Sequence, residues 1–189
     1  MAGEVEPVRT GPALGLIETA SIARGHVVLD ALVKRAPVTV LDAWTASPGK
    51  HLVLFAGEVA EVEESMGAGL AAAAEHLLDH VLLPNPHAQV LPAVAGEASA
   101  AGEDSLAVLE TAAASTAIRA ADAAVKAAEV RLVELRLATG LGGKAYFVLA
   151  GEQHHIEAAL EAGIEAAGAG LVGAEVINNP HPDAADRIG

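Results

Sequence analysis

The chain has 189 residues, no cysteine and a formal net charge of −14 at pH 7. The lack of cysteine excludes disulfides, thiol catalysis and cysteine-ligated metal clusters, and the acidic balance without a basic patch argues against binding to nucleic acid or to an anionic membrane surface. No uncharged apolar run is long enough to span a bilayer, and residues 1–13 lack the pattern of a secretory signal, so we expect a cytoplasmic protein.

Six elements are predicted in the first half of the chain. They are a strand over 13–18, a helix over 22–36, strands over 38–44 and 51–56, a helix over 58–79 and a strand over 81–83. Ser21 is suited to cap the first helix, and Pro37 ends it. The two middle strands flank the turn residues Ser47, Pro48 and Gly49, a pattern that predicts a hairpin.

The same order of elements is predicted again in the second half. Strands are expected over 106–110, 130–137, 145–150 and 172–177, and helices over 115–128 and 152–169. Residues 88–104, rich in Ala, Gly and Pro, are predicted to be a linker between domains at 12–87 and 105–183. The β-α-β-β-α-β order predicts an α+β fold of two tandem ferredoxin-like domains, each an antiparallel sheet with helices packed on one face.

The two halves are also related residue by residue. The segment LGLIETA at 14–20 returns as LAVLETA at 106–112, DALVK at 30–34 returns as DAAVK at 122–126, and Asn-Pro-His at 85–87 returns at 179–181. The order of the matches is kept, and the second copy is longer by two residues near one loop. Self-similarity of this kind indicates two copies of one domain joined head to tail.

Residue clusters that could carry catalysis or metal binding are few. His76 and His80 are four residues apart, a spacing that could place two imidazoles on one helical face, but no third ligand is evident nearby. His154 and His155 are adjacent and are expected to point to different sides of a helix. The glycine loop 139–144 lacks the flanking residues of a phosphate loop and joins two strands. We therefore predict no metal, no cofactor and no catalytic residue.

The repeated motifs together resemble the shell domain of bacterial microcompartments. They are the opening Leu-Gly-Leu-Ile-Glu-Thr, the Asp-Ala-x-Val-Lys segment, the glycine loop before an apolar strand, the Gly-Glu helix start and the closing Pro-His. The tandem arrangement is most similar to the propanediol-utilisation type of the trimeric class. The resemblance implies a homotrimer that forms a six-sided tile with a central pore, and not an enzyme.

The resemblance also implies which residues line the pore. The pore loops of the family fall on Ser47, Pro48 and Gly49 in the first copy and on residues 141–143 in the second. Residues 141–143 are Leu141, Gly142 and Gly143. The propanediol-utilisation type holds an iron–sulfur cluster through a cysteine at the position of Ser47. Because serine does not replace a soft thiolate ligand, we expect no cluster here.

Contacts between tiles are implied at four further positions. The edge lysine of the family falls on Lys34 and Lys126, each near the end of a predicted helix, where a lysine that only satisfies the helix dipole is the alternative. The edge arginine before Pro-His is replaced by Asn85 and Asn179. Neighbouring shell proteins in a facet are the expected partners at these edges.

A second interpretation of the sequence belongs to another functional class. A tandem ferredoxin-like module could bind a small effector between its copies and act as a regulator. The shell interpretation instead expects a protein located in the microcompartment shell, with small polar metabolites passing its pore.

Overall fold

The computed structural model describes residues 11–97, 105–185, 187 and 188. The chain divides into two compact units. The first comprises the residues up to Trp44 together with His51–Asn85, and the second comprises Thr45–Lys50 together with the residues from Pro86 onward. The tip of the first predicted hairpin, at 45–50, therefore belongs to the second unit.

The first unit contains four strands and two helices in the predicted order. They are β1 (Ala13–Thr19), α1 (Ile22–Arg35), β2 (Thr39–Ala46), β3 (Lys50–Gly57), α2 (Val59–Ala73) and β4 (Leu77–Leu83). The sheet order is β2-β3-β1-β4, and β1 lies antiparallel to both β3 and β4. Ser21 caps α1 as predicted, since its Oγ accepts a hydrogen bond from the Arg24 backbone N–H at 3.2 Å.

The core of this unit lies between the sheet and its two helices. Alternate residues of the strands, including Ile17 of β1 and Phe55 of β3, face Val28 of α1 and Met66 of α2. The apolar side chains at every second strand position are buried against the helices, and this burial holds the helices to one face of the sheet. Gly69 lets α2 pack close to β1, because a Cβ at this position would collide with the Ile17 side chain.

The second unit repeats this architecture and carries two short additional helices. Its strands and long helices are β5 (Ser105–Thr111), α4 (Ala114–Ala127), β6 (Arg131–Leu137), β7 (Ala145–Gly151), α5 (Gln153–Ala167) and β8 (Leu171–Ile177). The sheet order is β6-β7-β5-β8, with β5 antiparallel to β7 and β8. The short helices are α3 (Val90–Val94) and α6 (Pro182–Ala185). The predicted α+β fold with two tandem antiparallel domains is therefore confirmed.

One predicted helix was too long. The helix expected over 58–79 ends at Ala73, a single 3-10 turn follows, and β4 begins at Leu77. Ala74 ends the helix with a φ of 49°, a conformation that glycine adopts readily and that Gly168, with a φ of 53°, provides at the same point of the second copy. Because alanine does not signal such a turn, the first copy by itself did not indicate the end of the helix.

Residues 88–104, predicted to be a linker, contain α3, and residues 98–104 lie outside the described residues. α3 packs on the second unit, with Val90 and Ala93 buried. In the part of the chain that the structure describes, no helix is both long and apolar enough to cross a membrane.

Candidate pore loops and edge residues

The loop between β2 and β3 presents its first two residues to solvent. Ser47 and Pro48 are exposed, and Gly49 is half-buried. Gly49 has a φ of 114°, and its N–H donates to the Ala46 carbonyl oxygen at 2.9 Å, which closes the turn. A positive φ of this kind favours glycine, so the residue types of the loop follow from its tight geometry.

The loop between β6 and β7 is built from left-handed residues. Gly140, Gly142 and Gly143 have φ values of 75°, 63° and 85°, and Ala138 has 58°. The Lys144 N–H donates to the Leu141 carbonyl oxygen at 3.2 Å. Gly142 is exposed at the tip, Leu141 is half-buried and Gly143 is buried. The glycine-rich sequence thus supplies backbone conformations for a hairpin, as predicted, rather than a cradle for phosphate.

The structure brings the two predicted pore loops together within the second unit. The Lys50 ammonium donates a hydrogen bond to the Gly143 carbonyl oxygen at 2.9 Å. A Cβ on Gly143 would lie 2.8 Å from the Ser47 carbonyl oxygen and 2.9 Å from Lys50 Cε. Gly143 therefore positions the loops against each other, and the exposed surface of the pair is formed by Ser47, Pro48 and Gly142.

Sequence reasoning did not single out the two lysines that flank these loops. Lys50 and Lys144 occupy equivalent positions in the two copies, each directly after its loop. Lys144 makes an ion pair with Glu110 at 2.8 Å, and both side chains are about half-exposed. The equivalence of Lys50 and Lys144 in the repeat was the signal that could have identified them.

The predicted edge lysines both pair with an aspartate one helical turn earlier. Lys34 contacts Asp30 at 2.6 Å, and Lys126 contacts Asp122 at 2.6 Å, so each Asp-Ala-x-Val-Lys segment forms the same i,i+4 ion pair. The surroundings of the two aspartates differ. The Asp30 side chain is 61% exposed, whereas the Asp122 side chain is 7% exposed.

The two asparagines predicted at tile edges lie in equivalent places. Asn85 follows the end of β4 and Asn179 follows the end of β8, and both are exposed. Asn179 has a φ of 49°, a left-handed conformation that asparagine tolerates better than most residues. Their positions after the last strand of each copy are those that the repeat predicts.

The histidines are arranged differently from the prediction. His76 ends a 3-10 turn and His80 lies in β4, so they do not share a helical face. The rings of His154 and His155 do not point apart: their centroids are 4.0 Å apart at the start of α5. Their ligand atoms and those of Glu152 all lie within 4.8 Å of one another, at an exposed position.

One buried histidine was also missed by sequence reasoning. His51 of β3 is 1% exposed, its ring lies 4.7 Å from that of His26, and its Nδ1 has no hydrogen-bond partner among the described residues. Burial lowers the pKa of His51 below its ordinary value, and the neighbouring His26 lowers it further. No alternation marked it, because β3 is buried at every residue from His51 to Gly57.

Comparison with known proteins gives a consistent result over both copies. Residues 13–86 and 105–180 match the family model of the BMC domain. The chain is 40% identical over 171 residues to the bacterial microcompartment shell protein PduT of Citrobacter freundii, covering 89% of this chain and 93% of PduT. It is 40% identical to a microcompartment protein of known crystal structure from Desulfitobacterium hafniense, with a TM-score of 0.81 over 91% of this chain and 97% of that one.

A single copy also has a relative of its own. The carboxysome shell protein CcmK3 of Halothece sp. is 38% identical over 78 residues, which are 39% of this chain and 76% of CcmK3. One copy of the repeat therefore corresponds to most of a separate shell protein.

Proposed function

This chain belongs to the BMC-domain family of bacterial microcompartment shell proteins, and on that premise we propose that three copies close into a six-sided tile with a central pore. Its role is structural, since the matched relatives are shell proteins and not enzymes. The comparisons do not support the alternative of an effector-binding regulatory module. We place the tile in the shell of a cytoplasmic microcompartment.

The main support for the proposed trimer is that the two units of the chain match each other. Each unit has the same strand order and the same two long helices, and one copy by itself resembles most of a separate shell protein. Closed rings are the usual product of a heterologous interface that repeats by rotation. Three chains would supply six shell domains around one axis, with first and second copies alternating.

The pore is assigned to the two loops that meet in the second unit. Loops that line one opening must lie near each other, and Lys50 joins the loop at 141–143 to the loop that ends at Gly49. The exposed groups are the Ser47 hydroxyl, the Pro48 ring and the Gly142 backbone. Selectivity of such a pore depends on its diameter and on the groups that line it. The hydroxyl and the backbone groups are polar, the proline ring is apolar, and none of them is charged, so we propose small polar metabolites as the species that pass.

The remaining predicted contacts join tiles in a facet. Lys34 and Lys126 project from helix ends, and Asn85 and Asn179 follow the last strand of each copy. We propose neighbouring shell proteins as the partners of these residues.

Two measurements test the proposed function. Light scattering on the purified protein should give three times the chain mass, and electron microscopy should show six-sided particles or sheets. Conductance of the particle should fall when Ser47→Trp adds bulk to the proposed pore, whereas Ala60→Trp, on the exposed face of α2, should leave conductance unchanged. A monomeric chain contradicts the tile, and equal conductance of Ser47→Trp and the unmodified trimer contradicts the pore.

A further inference from the structure

The segment after β4 forms a defined contact with the second unit. We refer to residues 86–94 as the first tail. The His87 backbone N–H donates to Asp122 Oδ1 at 2.7 Å. The Gln89 side chain donates to the Val130 carbonyl oxygen at 2.9 Å and accepts from the Leu132 N–H at 2.7 Å. Asp122, which accepts from the first tail, has a buried side chain.

The segment after β8 repeats the conformation of the first tail. We refer to residues 180–185 as the second tail. In the first tail, His87 Nδ1 accepts from the Gln89 N–H at 3.4 Å, and the His87 carbonyl oxygen accepts from the Val90 N–H at 2.9 Å. In the second tail, His181 Nδ1 accepts from the Asp183 N–H at 3.2 Å, and the His181 carbonyl oxygen accepts from the Ala184 N–H at 2.8 Å.

The second tail has this conformation while its outer surface is open. His181, Pro182 and Asp183 are exposed. Ile188 beyond it packs on the sheet of its own unit, near Val133 and Val148. Within the second tail, residues 181–184 are exposed and 180 and 185 are half-buried.

The surface equivalent to the one that the first tail covers is exposed on α1. Ten of the fourteen residues of α4 are buried, whereas three of the fourteen residues of α1 are: Gly25, Val28 and Leu32. The apolar side chains of Ile22, Val27 and Val33 on α1 are exposed. Asp30, the counterpart of Asp122, is exposed as well, although it makes the same ion pair with the lysine of its segment. The first unit thus presents the receptor surface of this contact without its tail.

We propose that the second tail of one chain docks on α1 of a second copy of this chain, with the His181 N–H donating to Asp30 Oδ1. The inference rests on the proposed trimer and supplies its interface. The same tail-to-helix contact then occurs once within each chain and once between successive chains, and the repeated rotation closes the ring.

The intermolecular contact differs from the intramolecular one at one hydrogen bond. Asp183 replaces Gln89, so it can accept from the backbone N–H of Val40, the counterpart of Leu132, but cannot donate to the carbonyl oxygen of Val38. The contact between chains is therefore weaker by one hydrogen bond than the contact within a chain.

Engineered disulfides provide the direct test, because the chain has no cysteine of its own. The control is the double variant His87→Cys/Asp122→Cys, which should close a disulfide within one chain. The test mixes two single variants, Asp30→Cys and His181→Cys, under dilute oxidising conditions. We expect a covalent dimer from the mixture and a smaller yield from either variant alone. The double variant Asp30→Cys/His181→Cys should give covalent trimers.

The outcomes separate the interface from the trimer. A protein that has trimer mass and closes the control disulfide, yet forms no cross-link between positions 30 and 181, overturns the interface and leaves the trimer intact. A monomeric protein overturns the trimer itself.

A second measurement does not depend on disulfide geometry. Asp30→Ala should raise the dissociation constant of the trimer by about tenfold, because it removes a charged acceptor. Asp30→Asn retains an acceptor and should recover most of the affinity. Glu64→Ala removes another exposed carboxylate of the first unit, which pairs with Arg35, so it serves as the control. Equal dissociation constants for Asp30→Ala and the unmodified protein contradict the proposal.

Discussion

The Lys50 ammonium donates a hydrogen bond to the Gly143 carbonyl oxygen at 2.9 Å, although the two residues come from different copies of the repeat. A second, longer contact joins the same ammonium to the Ala112 carbonyl oxygen at 3.5 Å. Lys50 thereby holds two segments of the second unit in place beside the loop that begins at Ser47. This side chain therefore links the two loops that we assign to the pore.

Replacement of Lys50 by methionine should loosen the loop at 139–144. The aliphatic stem is kept, but the charged donor to Gly143 is lost, at a cost of about 1–3 kcal/mol in the free energy of unfolding. Hydrogen exchange should quicken at the Lys144 amide, which closes the loop by donating to Leu141. Lys144→Met is the matched control, because its ion pair with Glu110 is exposed and contributes little. Unchanged exchange in the Lys50 variant would show that the loop is held by its own backbone.

Replacement of Gly143 by alanine should destabilise the second unit more than replacement of Gly142. Both residues have positive φ, so both variants carry the backbone penalty of about 1 kcal/mol. Only at position 143 would the new Cβ also collide with a backbone oxygen, that of Ser47, whereas the space around Gly142 is open. Denaturant unfolding of the two variants measures the difference. Equal losses of stability would indicate that the loops separate easily.

Acid should destabilise the first unit through His51. Burial, and then His26, lowers the pKa of His51 in the folded protein, whereas the unfolded chain titrates near its ordinary value of about 6.5. The unfolded state therefore takes up the proton first as the pH falls, so the stability is complete above about pH 6.5 and declines below it. His51→Phe should flatten the dependence of the melting temperature on pH in this window, while His154→Phe, at an exposed site, should leave it. If the melting temperature of His51→Phe still falls with pH in this window, the dependence belongs to another titrating group.

Removal of the predicted edge lysines should affect sheets and not single tiles. Lys34→Ala breaks an exposed i,i+4 ion pair, which changes the free energy of unfolding by only about 0.5 kcal/mol. Lys126→Ala removes the lysine from a buried aspartate, Asp122, and should cost about 1–3 kcal/mol. We expect trimer mass to be retained while electron microscopy shows fewer or smaller sheets. Glu157→Ala, on the exposed side of α5, is the control. Sheets of normal size in both lysine variants would show that these two residues do not hold neighbouring tiles together.

The order of elements in each copy is predictable from the sequence because local signals mark most boundaries. Ser21 forms its predicted cap, and Pro37 follows the end of α1. The end of α2 was not predictable from its own segment, since Ala74 adopts the conformation that Gly168 provides in the second copy. His76 and His80 were consequently placed on a helix that had already ended.

The candidate site was predictable only in part. The glycines of the loop at 139–144 predicted a hairpin because positive φ is a property of single residues. The contact between Lys50 and Gly143 was not predictable, because it joins residues far apart in the chain and no periodicity records it. The buried Nδ1 of His51 escaped prediction for the same reason.

Asp30 and Asp122 show most directly what each level of structure decides. The sequence by itself determined that both aspartates lie on a helix four residues before a lysine, and both make the same ion pair at 2.6 Å. Helix geometry is local, so equal segments give equal contacts. Only the tertiary structure decided that Asp122 is buried and accepts a hydrogen bond from the His87 N–H, while Asp30 is exposed. Such contacts depend on segments that are distant in the chain, and within the described residues the segment at His87 reaches α4, whereas the matching aspartate of α1 stays open to solvent.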